Sequence, residues 1–164
     1  TPGEDVRFAL REIPQGQELC ISYLGISDLL SPRSERRAKL QQRFGFSCTC
    51  EACSLEGEDL ALSDGRRSRL RDLDSELSEC TCTVTPDGCI LAVDEMVQLV
   101  DAELNGAAFL KCRAWTQGFQ IAAAAMDLDL AESMARQALD QAELAEGRDS
   151  PQFALLQECL EACT

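Results

Sequence analysis

The chain has 164 residues, with 15 basic and 29 acidic side chains that give a net charge of −14. It contains no histidine, which excludes Ser-His-Asp and Cys-His catalysis, zincin motifs and Cys₂His₂ zinc fingers built from this chain alone. The longest apolar run has six residues, whereas a membrane-spanning helix needs roughly 20, and no signal peptide is visible. We therefore expect no membrane partner.

The acidic excess is confined to one part of the chain. Residues 1–53 carry seven basic and seven acidic side chains, whereas residues 54–164 carry eight basic and 22 acidic ones. A surface this acidic repels phosphate groups, so we expect no direct binding of nucleic acid. The same charge disfavours a zinc-ribbon nucleic-acid binder as the function.

The N-terminal residues predict a β-hairpin. Residues 6–13 are rich in apolar side chains and are interpreted as a strand, while Pro14 and Gly16 are typical of a turn. Residues 18–23 alternate, with Ile21 and Tyr23 on one face, which predicts a second strand.

The remainder of the chain predicts helices. Ser31 and Pro32 are typical of a helix start, and this basic helix is predicted to run to about residue 44. Apolar spacing predicts two amphipathic helices around residues 70–77 and 93–104, and further helices at 109–126, 130–146 and 151–163. A plain antiparallel bundle and tetratricopeptide-like packing both remain open for them. With the hairpin, these elements predict an α+β fold class.

Ten cysteines are the most informative feature of the composition. Cys48, Cys50 and Cys53 form a Cys-x-Cys-x-x-Cys knuckle, and three thiolates at this spacing can converge on one tetrahedral zinc ion. A structural zinc site needs a fourth ligand, which this motif does not supply; reduced thiols without metal are the alternative. This use of cysteine predicts a reducing, intracellular compartment.

A second cysteine cluster lies on a turn-rich segment. Cys80, Cys82 and Cys89 could form a second zinc site, supply the missing ligand, or remain reduced thiols, and their spacing matches no metal module that we can name. Neither Cys20 nor this cluster is placed near the knuckle by the sequence.

Several stretches together resemble one protein family. They are residues 11–23 (REIPQGQELCISY), the basic helix at 35–44 (ERRAKLQQRF), Phe46, and the three cysteines of the knuckle. In this order and spacing they resemble the C-terminal part of a SET domain and its post-SET zinc knuckle, as in SET-and-MYND-type protein lysine methyltransferases and their fungal relatives. The resemblance implies a C-terminal part of a SET domain at residues 1–47, a zinc knuckle at 48–56 and an acidic helical domain at 57–164.

The resemblance also implies roles for individual residues. Tyr23 matches the catalytic tyrosine beside the lysine amine and the methyl group of S-adenosylmethionine, where orientation lowers the barrier to in-line transfer. Phe46 matches an aromatic wall of the cofactor site, and Phe44 lies where the family often has a tyrosine in the substrate channel. The implied cofactors are zinc and, in the intact parent, S-adenosylmethionine. The implied partner is a protein substrate with a target lysine, such as a histone, in the nucleus or cytoplasm.

Other parts of the family pattern are absent from the sequence. The Gly-x-Gly cofactor segment and the Asn-His-x-Cys segment, which contributes the fourth zinc cysteine, should lie upstream, and a chain without histidine cannot contain the usual form of the latter. Because the chain also starts at Thr1, we expect a truncated fragment of a methyltransferase that is inactive alone. The alternative is a non-catalytic, acidic helical protein-interaction module with a zinc knuckle at one end.

Overall fold

The computed structural model describes residues 13–17, 21–79 and 86–163, and these residues are mainly α-helical. Helices account for 78% of them. The eight helices are α1 Ile26–Leu29, α2 Arg33–Phe44, α3 Glu51–Ser54, α4 Gly57–Glu79, α5 Pro86–Leu104, α6 Ala108–Ala124, α7 Leu128–Glu146 and α8 Pro151–Cys163.

The predicted α+β fold class is wrong, because the described residues contain no β-strand. Residues 6–12 and 18–20 of the predicted hairpin lie outside the described residues. The turn between them is present, since the Gln17 N–H donates to the Pro14 carbonyl at 3.1 Å and Gly16 adopts a φ of 89°. Residues 21–23 are not helical, and the side chains of Ile21 and Tyr23 are exposed. The alternation of apolar and polar side chains in this segment therefore does not correspond to a buried face. Alternation alone does not supply the hydrogen-bonded partner that a strand needs.

The predicted helices are confirmed, but α4 and α5 begin 13 and 7 residues before the predicted segments, whereas the other ends shift by at most two residues. The basic helix is α2, which begins directly after Pro32 and ends at Gly45, a residue with the left-handed φ of 74°. Its last turn is closed by the Gly45 N–H, which donates to the Gln41 carbonyl at 3.0 Å. Gly147 follows α7 with a φ of 84° and donates to the Glu143 carbonyl, as expected for a C-cap.

Helices α4 to α8 form a bundle in which each helix packs mainly on its neighbours in the chain. The connections after α5, α6 and α7 are short, so consecutive helices run antiparallel, an arrangement common to both packing alternatives. One cluster joins α4, α5 and α6, and a second joins α6, α7 and α8. The main buried side chains of the first are Leu70, Leu73, Leu77, Val93, Met96, Val100 and Leu110. Within the described ranges, no helix is long and apolar enough to cross a bilayer.

Small residues allow the helices of this bundle to approach closely. Ala131, Ala135, Ala138 and Ala142 form the buried face of α7. Opposite them, Gly118 of α6 leaves no room for a side chain, because an added Cβ would lie 2.5 Å from the Met134 Sδ and 3.2 Å from a Val93 methyl group. Side chains of α5 and α7 therefore contact the backbone of α6 at Gly118.

Candidate zinc knuckle and aromatic cluster

The knuckle is shaped by a single helical turn, α3. The Cys50 carbonyl accepts hydrogen bonds from the backbone N–H groups of Cys53 and Ser54, both at 3.0 Å. The Ser54 hydroxyl donates to the Thr49 carbonyl at 3.1 Å, which fixes the chain as it enters the turn. Because residues three apart on a helical turn share a face, the thiols of Cys50 and Cys53 are brought to the same side.

The geometry of the three thiols fits a metal ion. The Sγ atoms of Cys48, Cys50 and Cys53 all lie within 4.8 Å of one another. In a tetrahedral site with zinc–sulfur bonds of about 2.3 Å, neighbouring sulfur atoms are about 3.8 Å apart, so a small contraction would close the set on one ion. This is the one such group of three or more ligands among the residues that the structure describes.

The fourth ligand is not supplied by the described part of the chain. Cys89 is buried in α5, outside the thiol cluster, while Cys20, Cys80 and Cys82 lie outside the described residues. The cluster is exposed on one side, because Cys53 is buried, Cys48 is half-buried and Cys50 is exposed. A donor from another segment therefore has access on the Cys50 side.

The three thiols have unequal acidities without metal. Burial acts to raise the pKa of the Cys50 thiol, but hydrogen bonds from the Cys53 amide and the two neighbouring thiols outweigh it and lower that pKa. Burial, followed by the hydrogen bond to Cys50, raises the pKa of Cys53 to about 11. The exposed Cys50 thiol therefore loses its proton more readily. The buried Cys53 thiol needs a nearby positive charge to become a thiolate.

A buried polar network lies directly behind the knuckle. The Arg36 guanidinium of α2 lies 3.9 Å from the Cys53 Sγ and donates to the Ser31 carbonyl at 2.8 Å. On α4, the Asp64 carboxylate accepts from the Arg33 backbone N–H at 2.7 Å. Arg67, also on α4, donates to the Leu29 carbonyl at 2.6 Å. Residues 29–36 are therefore bound to α4 through main-chain groups.

This network is completed from α5 by one carboxylate. Glu103, whose side chain is only 4% exposed, accepts from Arg66 at 2.9 Å, from Arg67 at 2.8 Å and from the Ser63 hydroxyl at 2.5 Å. Burial and the positive charge of Arg36 lower the pKa of Arg67, whereas Glu103 acts to raise it. The knuckle, α4 and α5 are thus connected through a chain of buried charges.

Three aromatic rings form a second cluster, in which Phe44 and Phe46 directly precede the knuckle in sequence and Tyr23 comes from an earlier segment. The Tyr23 ring centroid lies 5.2 Å from that of Phe44 and 5.5 Å from that of Phe46, and the two phenylalanine rings are 6.5 Å apart. Tyr23 is 54% exposed and Phe44 is 48% exposed, whereas Phe46 is half-buried. The Ser47 hydroxyl accepts from Arg37 at 2.6 Å and holds the segment between the rings and the thiols on α2.

The structure thus brings the six predicted site residues into two groups. Tyr23, Phe44 and Phe46 meet as one aromatic cluster, and the three cysteines meet as one thiol cluster. The sequence interpretation missed Arg36, Arg67 and Glu103 as parts of the site. A signal was present for Arg67 and Glu103, because they continue the spacing of the apolar stripes on α4 and α5.

Comparison with known proteins supports one family. No family model matches the chain. It is 29% identical over 154 residues to Histone-lysine N-methyltransferase set5 of Schizosaccharomyces pombe, a match that covers 93% of this chain and 47% of that protein. It is 32% identical over 71 residues to Histone-lysine N-methyltransferase SMYD3 of Mus musculus, covering 43% of this chain and 16% of that protein. It is 39% identical over 51 residues to Histone-lysine N-methyltransferase SMYD1 of Homo sapiens, covering 31% of this chain and 10% of that protein.

The chain therefore spans about half the length of the Schizosaccharomyces pombe protein and a much smaller share of the two SMYD proteins. The names of all three relatives describe enzymes that methylate histone lysine. These matches confirm the resemblance to SET-and-MYND-type and fungal protein lysine methyltransferases that the motifs of residues 11–53 indicated.

Proposed function

We propose that this chain provides the C-terminal part of an S-adenosylmethionine-dependent protein lysine methyltransferase of the SET class. The observation that carries the proposal is the convergence of Tyr23, Phe44 and Phe46, with ring centroids 5.2 to 6.5 Å apart, beside a three-thiol knuckle. The aromatic faces carry partial negative charge and attract cations such as a lysine ammonium. The cluster is therefore suited to receive a lysine side chain.

Each aromatic residue has a distinct part in the proposal. S-adenosylmethionine, when bound, supplies an electrophilic methyl group. Before transfer the lysine ammonium must release a proton to solvent, because only the neutral amine has a lone pair that can attack the methyl group. Tyr23 combines a ring within the cluster with a hydroxyl that can hydrogen-bond this neutral amine and hold it in line for transfer. Phe46 forms one side of the cofactor site. Phe44 lines the substrate channel, where its ring excludes water but offers no hydrogen bond.

Zinc is the second proposed cofactor, and its role is structural. Cys48, Cys50 and Cys53 would hold it and fix the segment that follows Phe46, which keeps the aromatic cluster in place. With three thiols in the cluster and Cys50 exposed, the fourth ligand comes from a segment outside the described residues. We propose that a segment outside the described residues also covers the exposed rings of Tyr23 and Phe44.

We further propose that the chain alone does not bind S-adenosylmethionine productively, because the described aromatic cluster is open to solvent on the Tyr23 side. The expected result of calorimetry is a dissociation constant of about 1 mM or weaker, which corresponds to about 4 kcal/mol. A micromolar constant for this chain would show that the cofactor site is already complete. The proposed substrate is a protein lysine in the nucleus or cytoplasm. The names of the relatives suggest a histone lysine, and a lysine of another protein is the alternative.

A chimera provides the test of function. This chain replaces the matched segment of the Schizosaccharomyces pombe relative, and transfer of labelled methyl groups from S-adenosylmethionine to histones is measured. We expect activity in the chimera and a loss of about 10²- to 10³-fold in Tyr23→Phe, since one oriented hydroxyl is removed while the ring is kept. Ser22→Ala is the matched control, because it removes a neighbouring exposed hydroxyl whose hydrogen bonds within the described residues are to Leu24.

Two results would contradict the proposal. Equal turnover of the chimera and its Tyr23→Phe variant would remove Tyr23 from catalysis. A chimera that folds and binds zinc but transfers no methyl group would instead favour a non-catalytic interaction module with a zinc knuckle.

A further inference from the structure

Arg36 differs from the other cations of α2 by its burial. Its side chain is 4% exposed, whereas those of Lys39 and Arg43 are 36% and 58% exposed. Nη1 donates to the Ser31 carbonyl at 2.8 Å and lies 3.9 Å from the Asp64 Oδ1, and Nη2 points to the Cys53 Sγ at 3.9 Å. One planar guanidinium thus faces a loop carbonyl, a carboxylate of α4 and a thiol of the knuckle.

Among the residues that the structure describes, the charges around Arg36 do not balance while the thiols are neutral. Arg36, Arg66 and Arg67 supply three positive charges, and the carboxylates that face them are Asp64 and Glu103. Glu103 is engaged by Arg66 and Arg67, while Asp64 is 3.9 Å from Arg36 and already accepts from the Arg33 backbone. A buried guanidinium without a close anion is costly. An anion at the knuckle would complete the balance.

Zinc bound by thiolates is such an anion. Zinc with three thiolates carries a net charge of −1, and with four it carries −2, although the metal itself is a cation. Arginine is well suited to bind such a zinc–thiolate group. One terminal nitrogen of its planar guanidinium can donate to sulfur while the other continues to donate to the Ser31 carbonyl. The 3.9 Å separation between Nη2 and the Cys53 Sγ needs only a small shift to become a charge-assisted N–H···S bond.

We propose that the Arg36 guanidinium is a positioning residue of the zinc centre, donating to the Cys53 thiolate and linking metal occupancy to the packing of α2 on α4. This inference rests on the proposed zinc knuckle and adds a residue that is not a ligand. Zinc binding strengthens the contact between Arg36 and Cys53. The same guanidinium donates to the Ser31 carbonyl and faces Asp64. Thermodynamic coupling is reciprocal, so any substitution that removes the guanidinium of Arg36 weakens zinc binding.

The test measures zinc affinity of the whole chain by competition with a chromophoric chelator in reducing buffer. We expect Arg36→Gln to bind zinc about 10- to 100-fold more weakly, the range seen when outer-sphere partners of metal ligands are lost. Arg36→Lys, which keeps a cation but replaces the guanidinium, is expected to weaken binding by about threefold to tenfold. Arg71→Gln is the matched control, because Arg71 also links α4 to α2, through Glu35 at 3.6 Å, but on the exposed surface.

Failure of this inference is distinguishable from failure of the knuckle itself. Cys50→Ser must lower zinc binding if the knuckle is the metal site, and unchanged binding there would contradict the proposed knuckle. If Cys50→Ser loses zinc while folded Arg36→Gln and Arg36→Lys bind it as the wild type does, Arg36 has no positioning role. Where Arg36→Gln fails to fold, Arg36→Lys alone decides: wild-type affinity overturns the inference, and the expected loss supports it.

Discussion

The two halves of the described structure are stabilised in different ways. In residues 57–163, nineteen apolar side chains are buried, and most of them belong to the two clusters that share α6. In residues 13–56, the buried apolar side chains are Leu30, Leu40 and Cys53, and five large apolar side chains are exposed, namely Ile13, Ile21, Tyr23, Ile26 and Phe44. The first half is therefore held by polar links, by the proposed metal and by Leu30, which packs into the cluster of α4, α5 and α6. The second half is held mainly by the burial of apolar surface.

This contrast explains how the first half is positioned. Its described part contacts α4 through four polar contacts: Arg33 to Asp64, Arg36 to Asp64, Arg67 to the Leu29 carbonyl, and Arg71 to Glu35. The helical bundle thus serves as a platform for the knuckle and the aromatic cluster. If that description is correct, changes in the two halves should have separable effects.

Zinc removal is expected to have the largest effect. Structural zinc contributes about 10 kcal/mol or more in small zinc-finger peptides, and the knuckle has little apolar core of its own. A chelator should therefore accelerate hydrogen exchange of the Cys53 and Ser54 amides, which bond to the Cys50 carbonyl, while amides of α6 and α7 exchange as before. Hydrogen-exchange mass spectrometry of the zinc-loaded chain, with and without chelator, measures this difference.

The control for zinc removal is Cys159→Ser, which changes a thiol of α8 outside the cluster and should leave zinc content unchanged. If the chelator accelerated hydrogen exchange equally in the knuckle and in α6, this would contradict the expectation that changes in the two halves have separable effects.

The second largest effect is expected at Glu103. Glu103→Gln removes the charge that Arg66 and Arg67 share and leaves the buried Arg67 unpaired, which should lower the free energy of unfolding by about 3–5 kcal/mol. Glu95→Gln is a matched control, since Glu95 also lies on α5 and binds an arginine of α4, but with both side chains more than 40% exposed. Urea unfolding followed by circular dichroism compares them, and equal losses would refute the importance of burial.

Much of the helical half could be predicted from the sequence, because its information is local. Apolar side chains at helical spacing marked α5, α6, α7 and the C-terminal part of α4. Proline at position 32 restricts φ at a helix start, and Gly147 tolerates the positive φ that follows α7. The knuckle could also be predicted, because ligand spacing over six residues restricts the positions of the three sulfur atoms.

The remainder could not be predicted, because it depends on contacts between distant residues. Alternation at residues 18–23 was interpreted as a strand, but Ile21 and Tyr23 cover no described core. Arg36 is buried while its neighbour Arg37 is not, and both belong to the same run of arginines. The difference arises because Arg36 lies four residues before the buried Leu40, on the face of α2 that meets α4 and the knuckle.

The third prediction tests the close approach of the helices at Gly118. Gly118→Val should lower the free energy of unfolding by about 1–3 kcal/mol, because its side chain would overlap the Met134 Sδ and the Val93 methyl group. Gly65→Val is the matched control, since Gly65 also lies within a helix but has no atom within 4 Å of an added Cβ. Thermal unfolding of the two variants measures the effect, and a Gly118 variant as stable as the Gly65 variant would refute tight packing at this crossing.

The smallest effect is expected at Glu95 and depends on pH. Arg69 binds both carboxylate oxygens, at 2.8 and 2.7 Å, and its hydrogen bonds lower the pKa of Glu95 below the ordinary value of 4.5. A lowered pKa in the folded state means that the ionised carboxylate stabilises the fold above the unfolded pKa, and that this stability is lost as pH falls further. Because the pair is exposed and screened by water, its contribution at pH 7 should be about 0.2–1 kcal/mol. Urea unfolding of wild type and Glu95→Gln at pH 7 and again below pH 4 measures it: the difference should shrink toward zero in acid, and a difference that persists would show that Glu95 acts through packing rather than charge.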